Sequence, residues 1–352
     1  DGKYDEGWEV LRSRRHKAAQ ALGLVPENSA MEPMASTESW QNLEPKTKRY
    51  QAKRMAVYAA MVEAMDFHIG RLIQHLKDTG RYNNTIFIFA SDNGSEGSGA
   101  GVEPVAMNNL MLSLMDYNDD YETLGLKGSY GTIGPNFASA AASPLGYYKF
   151  YVGEGGLRVP LIIAGEPLTL STPNSIIDAF SYATDIVPTI LQLTGTANPA
   201  GRYNGRAVEP IVGRSVVPLL QGRAQRIYGD DDAVGYELNG HRALFLGDHK
   251  IVYNRPPIGD GIWHLYNIAI DPGETEDLKE QQPQRFARMQ SLYEQFVAEH
   301  GVLPVAEDFD PQQVMFAGLV RDRFGGYLIA LFCVVIALLA FGLYRKRRLR
   351  VR

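Results

Sequence analysis

Three residues carry chemistry by type and setting. Asp92 and Asn93 follow at once on the apolar run TIFIFA, Thr85 to Ala90, in the tetrapeptide Ser91-Asp92-Asn93-Gly94. A carboxylate and an amide oxygen are hard donors, suited to Ca²⁺ or Mg²⁺. The plainer alternative is a turn, because Asp, Asn and Gly are the ordinary residues of strand ends. Lys149 stands in YYKFYVGEGGLRVP, five residues before Glu154-Gly155-Gly156. Glycines let backbone approach a ligand closely, and a lysine there binds an anion as a compact charge. A solvated loop lysine is the alternative. Arg158 is expected to fix this loop by a salt bridge or carbonyl contacts and is not assigned to catalysis. His68 and His75 share a face of one helix, and His241, His249 and His264 fall later in the chain. The first two are expected to be structural or surface residues and the other three to lie away from the sheet edge that binds ligands. HExxH, GxSxG and GxxxxGK[ST] do not occur, nor does GxGxxG at a strand–helix junction.

These residues need elements to hold them. Met55, Tyr58, Ala59, Val62, Met65, Ile69, Leu72, Ile73 and Leu76 recur at three- and four-residue steps. That spacing predicts a long amphipathic helix, with Gly80 just past its end. TIFIFA is short, β-branched, aromatic and apolar on both faces, which predicts a buried central strand. Val159–Ile163 predicts a second strand and Asp185–Leu193 a helix. Helix, tight connection and buried strand together predict a doubly wound, mainly parallel α/β sheet with Asp92-Asn93 at its ligand-binding edge. Strand candidates Arg242–Leu246, Lys250–Tyr253 and Trp263–Asn267, followed by an amphipathic helix Pro283–His300, predict a small antiparallel-sheet-plus-helix domain. The expected division is 1–222, 223–300, a linker 301–325, a transmembrane helix 326–344 and a basic tail 345–352.

The last two segments rest on hydropathy. Residues 326–344 read GYLIALFCVVIALLAFGLY, without a charge, and RKRRLRVR closes the chain. An uncharged run of this length approaches the roughly 30 Å hydrocarbon core as a helix, and the basic cluster favours the cytoplasmic side. The expectation is a single-pass membrane protein with residues 1 to about 320 outside the cytoplasm, in the periplasm if the source is bacterial. Hydrophobic residues make up 45% of the 352 and charged residues 21%, ordinary for a packed core. A formal net charge of −5 argues against a nucleic-acid partner. The single cysteine, Cys333, lies in the apolar run and excludes an intrachain disulfide or Cys-rich zinc site.

An ordered series resembles the sulfatase family, within the alkaline-phosphatase-like superfamily, and bacterial arylsulfatases in particular: YAAMVEAMDFHIGRLIQHLKDTG, NNTIFIFASDNG, YKFYVGEGGLRVPLIIAG, ATDIVPTILQLTG, GRSVVPLLQG and WHLYNIAIDPGETEDL. It covers roughly residues 45 to 300. The resemblance implies that Asp92 and Asn93 are two ligands of a Ca²⁺ site. It implies that Lys149 binds the sulfate group of a sulfate-ester substrate and stabilises the leaving oxygen. The family nucleophile is a formylglycine made from C-x-P-x-R or S-x-P-x-R, and neither motif occurs here. The first residue is Asp1 and not methionine, so the chain is expected to be the C-terminal part of an arylsulfatase, inactive alone, whose nucleophile and remaining ligands lie in a missing N-terminal part. A phosphonate or phosphate-ester hydrolase of the same superfamily, and a non-catalytic membrane-tethered binding module, are the alternatives.

Overall fold

The computed structural model describes residues 2–336 except 32–37, 98–111, 114, 169, 173, 200, 258, 307–308, 311–312, 315–316, 319, 323, 328, 330–331, 333 and 335. The chain divides into one unit, Asp1–Val302, and a second, Leu303–Arg352.

In the first unit, helix α1 (Trp8–Ala21) packs on α3 (Gly134–Ala142). Trp8, Trp40 and Phe137 meet edge to face, with ring centroids 4.7–6.0 Å apart, in a cluster that also holds Tyr4, Met55 and Tyr148. The buried Arg12 guanidinium crosses this contact and donates to Ser139 O and Oγ at 2.6 and 2.7 Å. The long helix α2 runs Pro45–Asp78, and Gly80 follows it at φ 68°, the left-handed residue a helix end requires. Only the start of its apolar stripe is covered. Met55 is fully buried, whereas Val62, Met65 and Leu72 are exposed.

The expected parallel sheet is not what forms. Strand β1 (Phe87–Ala90) pairs antiparallel with β2 (Leu161–Ala164), Phe87 opposite Ala164 and Ala90 opposite Leu161. Every strand ladder among the described residues is antiparallel, including β3 (Arg202–Tyr203) with β4 (Arg206–Ala207). The fold is mixed α/β with antiparallel sheets, and not doubly wound parallel. The physical reason is that apolar composition reports how much of a strand seeks cover and carries nothing about direction. Direction is set by the connection, and here β1 and β2 are joined by more than sixty residues of excursion.

Four strands form a meander: β5 (Ala233–Leu238), β6 (His241–Leu246), β7 (His249–Tyr253) and β8 (Trp263–Asn267). Its turns are dictated locally. Asn239-Gly240, at φ 53° and 85°, is the two-residue turn whose twist matches a hairpin. Gly247 at φ 57° supplies the next one. The sheet is covered on both faces. Helix α6 (Pro283–His300) lays Met289 and Tyr293 on Leu244, Ile251 and Leu265. On the other face Ala243 and Val252 pack against Val152. Strand alternation therefore turns Lys250, two residues before Val252, toward the segment that carries Lys149.

Helix α5 (Ile186–Thr194) is locked at its start by Asp185, which is 1% exposed. Its carboxylate accepts from the backbone N–H of Tyr182 at 2.6 Å and of Arg214 at 2.7 Å, and from the Tyr228 hydroxyl at 2.7 Å. Asp185→Asn exchanges one acceptor oxygen for a donor facing these N–H and O–H groups. It should lower the unfolding free energy by about 2 kcal/mol, read as a lower urea midpoint at unchanged slope.

The second unit corrects the membrane expectation. Among the described residues no helix is long and apolar enough to cross a membrane. A single-pass topology, a membrane partner and an extracytoplasmic placement are therefore not supported. A span needs about 20 consecutive apolar residues in one helix, and no helix among the described residues meets that length and apolarity. Of 326–344, Gly326, Tyr327, Ile329, Phe332, Val334 and Ile336 are described, while Cys333 and the tail 345–352 lie outside the described residues.

Candidate active site

Asp92 and Asn93 lie in the turn that leaves β1. Asp92 is exposed, and the Asn93 amide nitrogen donates to Asp92 Oδ1 at 3.1 Å and to the Gly94 carbonyl at 3.3 Å. With its NH₂ so engaged, the Asn93 amide oxygen is the atom left to offer a cation. The Ser91 hydroxyl closes the turn onto the Asn93 carbonyl at 2.8 Å.

The Lys149 segment runs beside this turn. The Gly94 N–H donates to the Gly156 carbonyl at 2.9 Å, and the Lys149 N–H to the Ser95 carbonyl at 3.0 Å. Residues 94–95 are thus stitched to residues 149 and 156, although more than fifty positions separate the two stretches. Glycine is needed at 94 because a Cβ there would sit 1.9 Å from the Gly155 carbonyl oxygen. Tyr148 is buried in the aromatic cluster and Val152 under the four-stranded sheet, so Lys149 is carried between two anchors. Its ammonium pairs with Glu96 Oε2 at 2.7 Å, both side chains about one-third exposed. Arg158, farther along, pairs with Asp178 at 3.3 Å and donates to the Leu24 carbonyl at 3.4 Å.

Below the loop lies a charged cluster with almost no solvent. Helix α4 (Glu154–Leu157) begins with Glu154, whose Oε1 accepts from Lys250 Nζ at 2.8 Å. Lys250 also donates to Glu274 Oε1 at 2.9 Å, and Glu274 Oε2 accepts the Glu154 N–H at 2.9 Å. Burial alone would lower the Lys250 pKa. The two carboxylates overcome this and hold it above the ordinary lysine value. Glu274 goes the other way from a usual paired acid. Burial raises it, Lys250 draws it back, and the second carboxylate, Glu154, pushes it up again, to about 7. One ammonium cannot neutralise two buried carboxylates, so the second retains a high proton affinity.

This has a measurable consequence. The folded-state pKa of Glu274 lies above its ordinary value of 4.5. The stability it contributes is therefore complete below about 4.5 and is lost as pH rises through about 7. Between pH 6 and pH 8 the chain should lose about 1 kcal/mol of unfolding free energy from this group. Glu274→Gln should flatten that stretch of the curve, measured by urea unfolding at the two pH values.

Sequence reasoning missed Glu96 and the Glu154–Lys250–Glu274 cluster. Glu96 had a signal, being three residues after Asn93 in the same glycine-rich turn. Lys250 had one too: a charge inside the strand HKIVY, where both neighbouring elements ask for apolar residues. Glu274, in the turn after β8 at φ 55°, had none.

As a cation site the described residues offer Asp92 and Asn93, and no group of three or more His, Cys, Asp or Glu side chains converges among them. Hard oxygens of this kind fit Ca²⁺, which takes six to eight of them. The sulfatase family model matches residues 23–196, the stretch that contains both stitched segments. The chain belongs to the sulfatase family. It is 37% identical over 316 residues to an uncharacterized sulfatase of Schizosaccharomyces pombe, covering 89% of this chain and 56% of that protein. It is 30% identical over 217 residues to an arylsulfatase of Klebsiella aerogenes, covering 61% and 45%. It is 29% identical over 178 residues to the steryl-sulfatase of Homo sapiens, covering 48% and 22%. This sulfatase-family chain spans about half the length of the first two relatives.

Proposed function

We propose that the chain is part of a sulfatase that hydrolyses sulfate esters of the arylsulfatase type, in which Asp92 and Asn93 contribute two oxygens to a Ca²⁺ site and Lys149 binds the sulfate group. The observation that carries this reading is the backbone stitch between Gly94–Ser95 and Lys149–Gly156. It holds the loop with Asp92 and Asn93 beside the loop with the Lys149 ammonium, which supports a shared site. A formylglycine nucleophile and the other calcium ligands would come from residues outside this chain.

The chain's own residues would then do two things. Asp92 and Asn93 would present oxygens to the cation, with the Asn93 amide oriented by its bonds to Asp92 and Gly94. Lys149 would exchange Glu96 for a sulfate oxygen and then face the leaving oxygen as its charge develops. Such a swap is inexpensive because a partly exposed ion pair contributes little. When bound, calcium supplies fixed positive charge against the sulfate oxygens.

The test uses the complete protein with its formylglycine formed. It should turn over p-nitrophenyl sulfate, prefer it to p-nitrophenyl phosphate when the two compete, and lose turnover to a calcium chelator. Preference for the phosphate ester, or no turnover of either, would reject the reading. The chain alone should bind Ca²⁺ more weakly than micromolar by calorimetry, since two oxygens are a poor site.

A further inference from the structure

Lys250 is fully buried, and among the described residues it pairs with two carboxylates, Glu154 and Glu274, themselves 4% and 3% exposed. Removing a lysine and two carboxylates from water is costly, and stability alone is a weak reason to keep such a cluster. What it holds is informative. Glu154 leads directly into Gly155 and Gly156, and Gly156 accepts the Gly94 N–H. Glu274 holds the same point twice, through Lys250 and through the Glu154 N–H. It also packs on the other end of the loop. A Cβ on Gly146 or Gly153 would come within 3.2 or 2.9 Å of Glu274 Oε2. Nearby, the Val152 N–H donates to Asn254 Oδ1 at 3.1 Å.

The loop so held is strained where Lys149 sits. Tyr147 has φ 66° and Phe150 φ 82°, left-handed values that non-glycine residues adopt only when the surroundings impose them. Something must offset that strain, and the charged cluster is one set of buried contacts the loop makes.

We propose that Lys250 is a positioning residue for the site: from the four-stranded sheet it clamps Glu154 and Glu274, and so fixes the 146–157 loop with Lys149 against the Asp92–Asn93 turn. Its link to turnover rests on the reading of Lys149 as the sulfate-binding lysine. The clamp itself does not.

Two measurements separate these. In this chain, Lys250→Met should speed amide exchange across 146–157 by about tenfold or more while β6 and β7 keep their protection. If Lys250→Met does not fold, Glu274→Gln serves, because it leaves Lys250 and Glu154 as a one-to-one pair. Its Glu154 amide should exchange about tenfold faster with the sheet unchanged. Unaltered exchange, or a uniform rise that includes the sheet, would overturn the clamp. In the complete protein, the folded variant should lower kcat/KM by about tenfold with Lys149 present, and by less than about twofold in a Lys149→Ala background. Equal losses in both backgrounds would show a merely structural role and overturn the positioning proposal. If the complete protein has no sulfatase activity, the proposed function fails while the exchange result still decides the clamp.

Discussion

Replacing Gly94 with alanine should separate the two loops of the candidate site and lower the unfolding free energy by about 3 kcal/mol. The added Cβ would lie 1.9 Å from the Gly155 carbonyl oxygen and 2.9 Å from both Gly155 C and Gly156 Cα. All three are backbone atoms, so no side chain can swing away. The Gly155–Gly156 stretch cannot retreat either. The Gly155 N–H is bonded to the Gly146 carbonyl at 2.7 Å, and a Cβ on Gly155 itself would meet the Tyr147 carbonyl oxygen at 2.2 Å. The turn after β1 must therefore lift, losing the Gly94–Gly156 and Ser95–Lys149 hydrogen bonds together. Gly70 is the control. It lies inside α2 with nothing within 4 Å of a built Cβ. Gly70→Ala should stabilise the chain by roughly 0.5–1 kcal/mol through helix propensity. Urea unfolding of the two variants side by side checks the contact. A Gly94→Ala variant as stable as the parent would mean the loops do not touch as described.

The same contact shows what the sequence could and could not reveal. A strand within TIFIFA, the long helix ending before Gly80 and the three strands after residue 241 were legible, because each is written in local periodicity and turn residues. The burial expected of TIFIFA was not met, since β1 is only partly buried in a two-stranded sheet. The Asn239-Gly240 and Gly247-Asp248 turns fix the meander within two residues each. Pairing direction was not legible. Ile88 and Ile163 face each other antiparallel, and no residue in either strand encodes that choice. Nor does periodicity say what covers an apolar stripe: Met55 and Leu72 read alike, yet one is fully buried and the other 52% exposed. The candidate site was half legible. Residue types pointed to Asp92, Asn93 and Lys149, but the partners that set their electrostatics, Glu96 and the Lys250 cluster, are brought near only by tertiary packing. Lys250 illustrates the loss. Read along the strand it is a misplaced charge, and only strand alternation, which turns it to the same face as Val252, directs it toward Glu154.

On the proposed function, Lys149→Ala in the active sulfatase should lower kcat/KM for an aryl sulfate by about 10²–10³-fold, the usual loss when a preorganised group facing developing charge is removed. The size should depend on the leaving group. If Lys149 only gripped the ground-state sulfate, its removal would raise KM and leave kcat nearly unchanged. If it also faces the leaving oxygen, kcat should fall more than KM rises, because charge accumulates on that oxygen only as the S–O bond breaks. A nitrophenolate needs little help and an unsubstituted phenolate or alkoxide needs much. The loss should therefore grow steadily from p-nitrophenyl to phenyl to alkyl sulfate. Lys149→Arg should restore only part of the activity, since a planar guanidinium in a loop pinned by Tyr148 and Val152 cannot place its charge where a compact ammonium does. Glu96 sharpens the distinction. It holds the ammonium at 2.7 Å before substrate arrives, so Glu96→Gln should lower KM modestly while leaving the leaving-group slope intact. A slope that is flat across the ester series would assign Lys149 to binding alone.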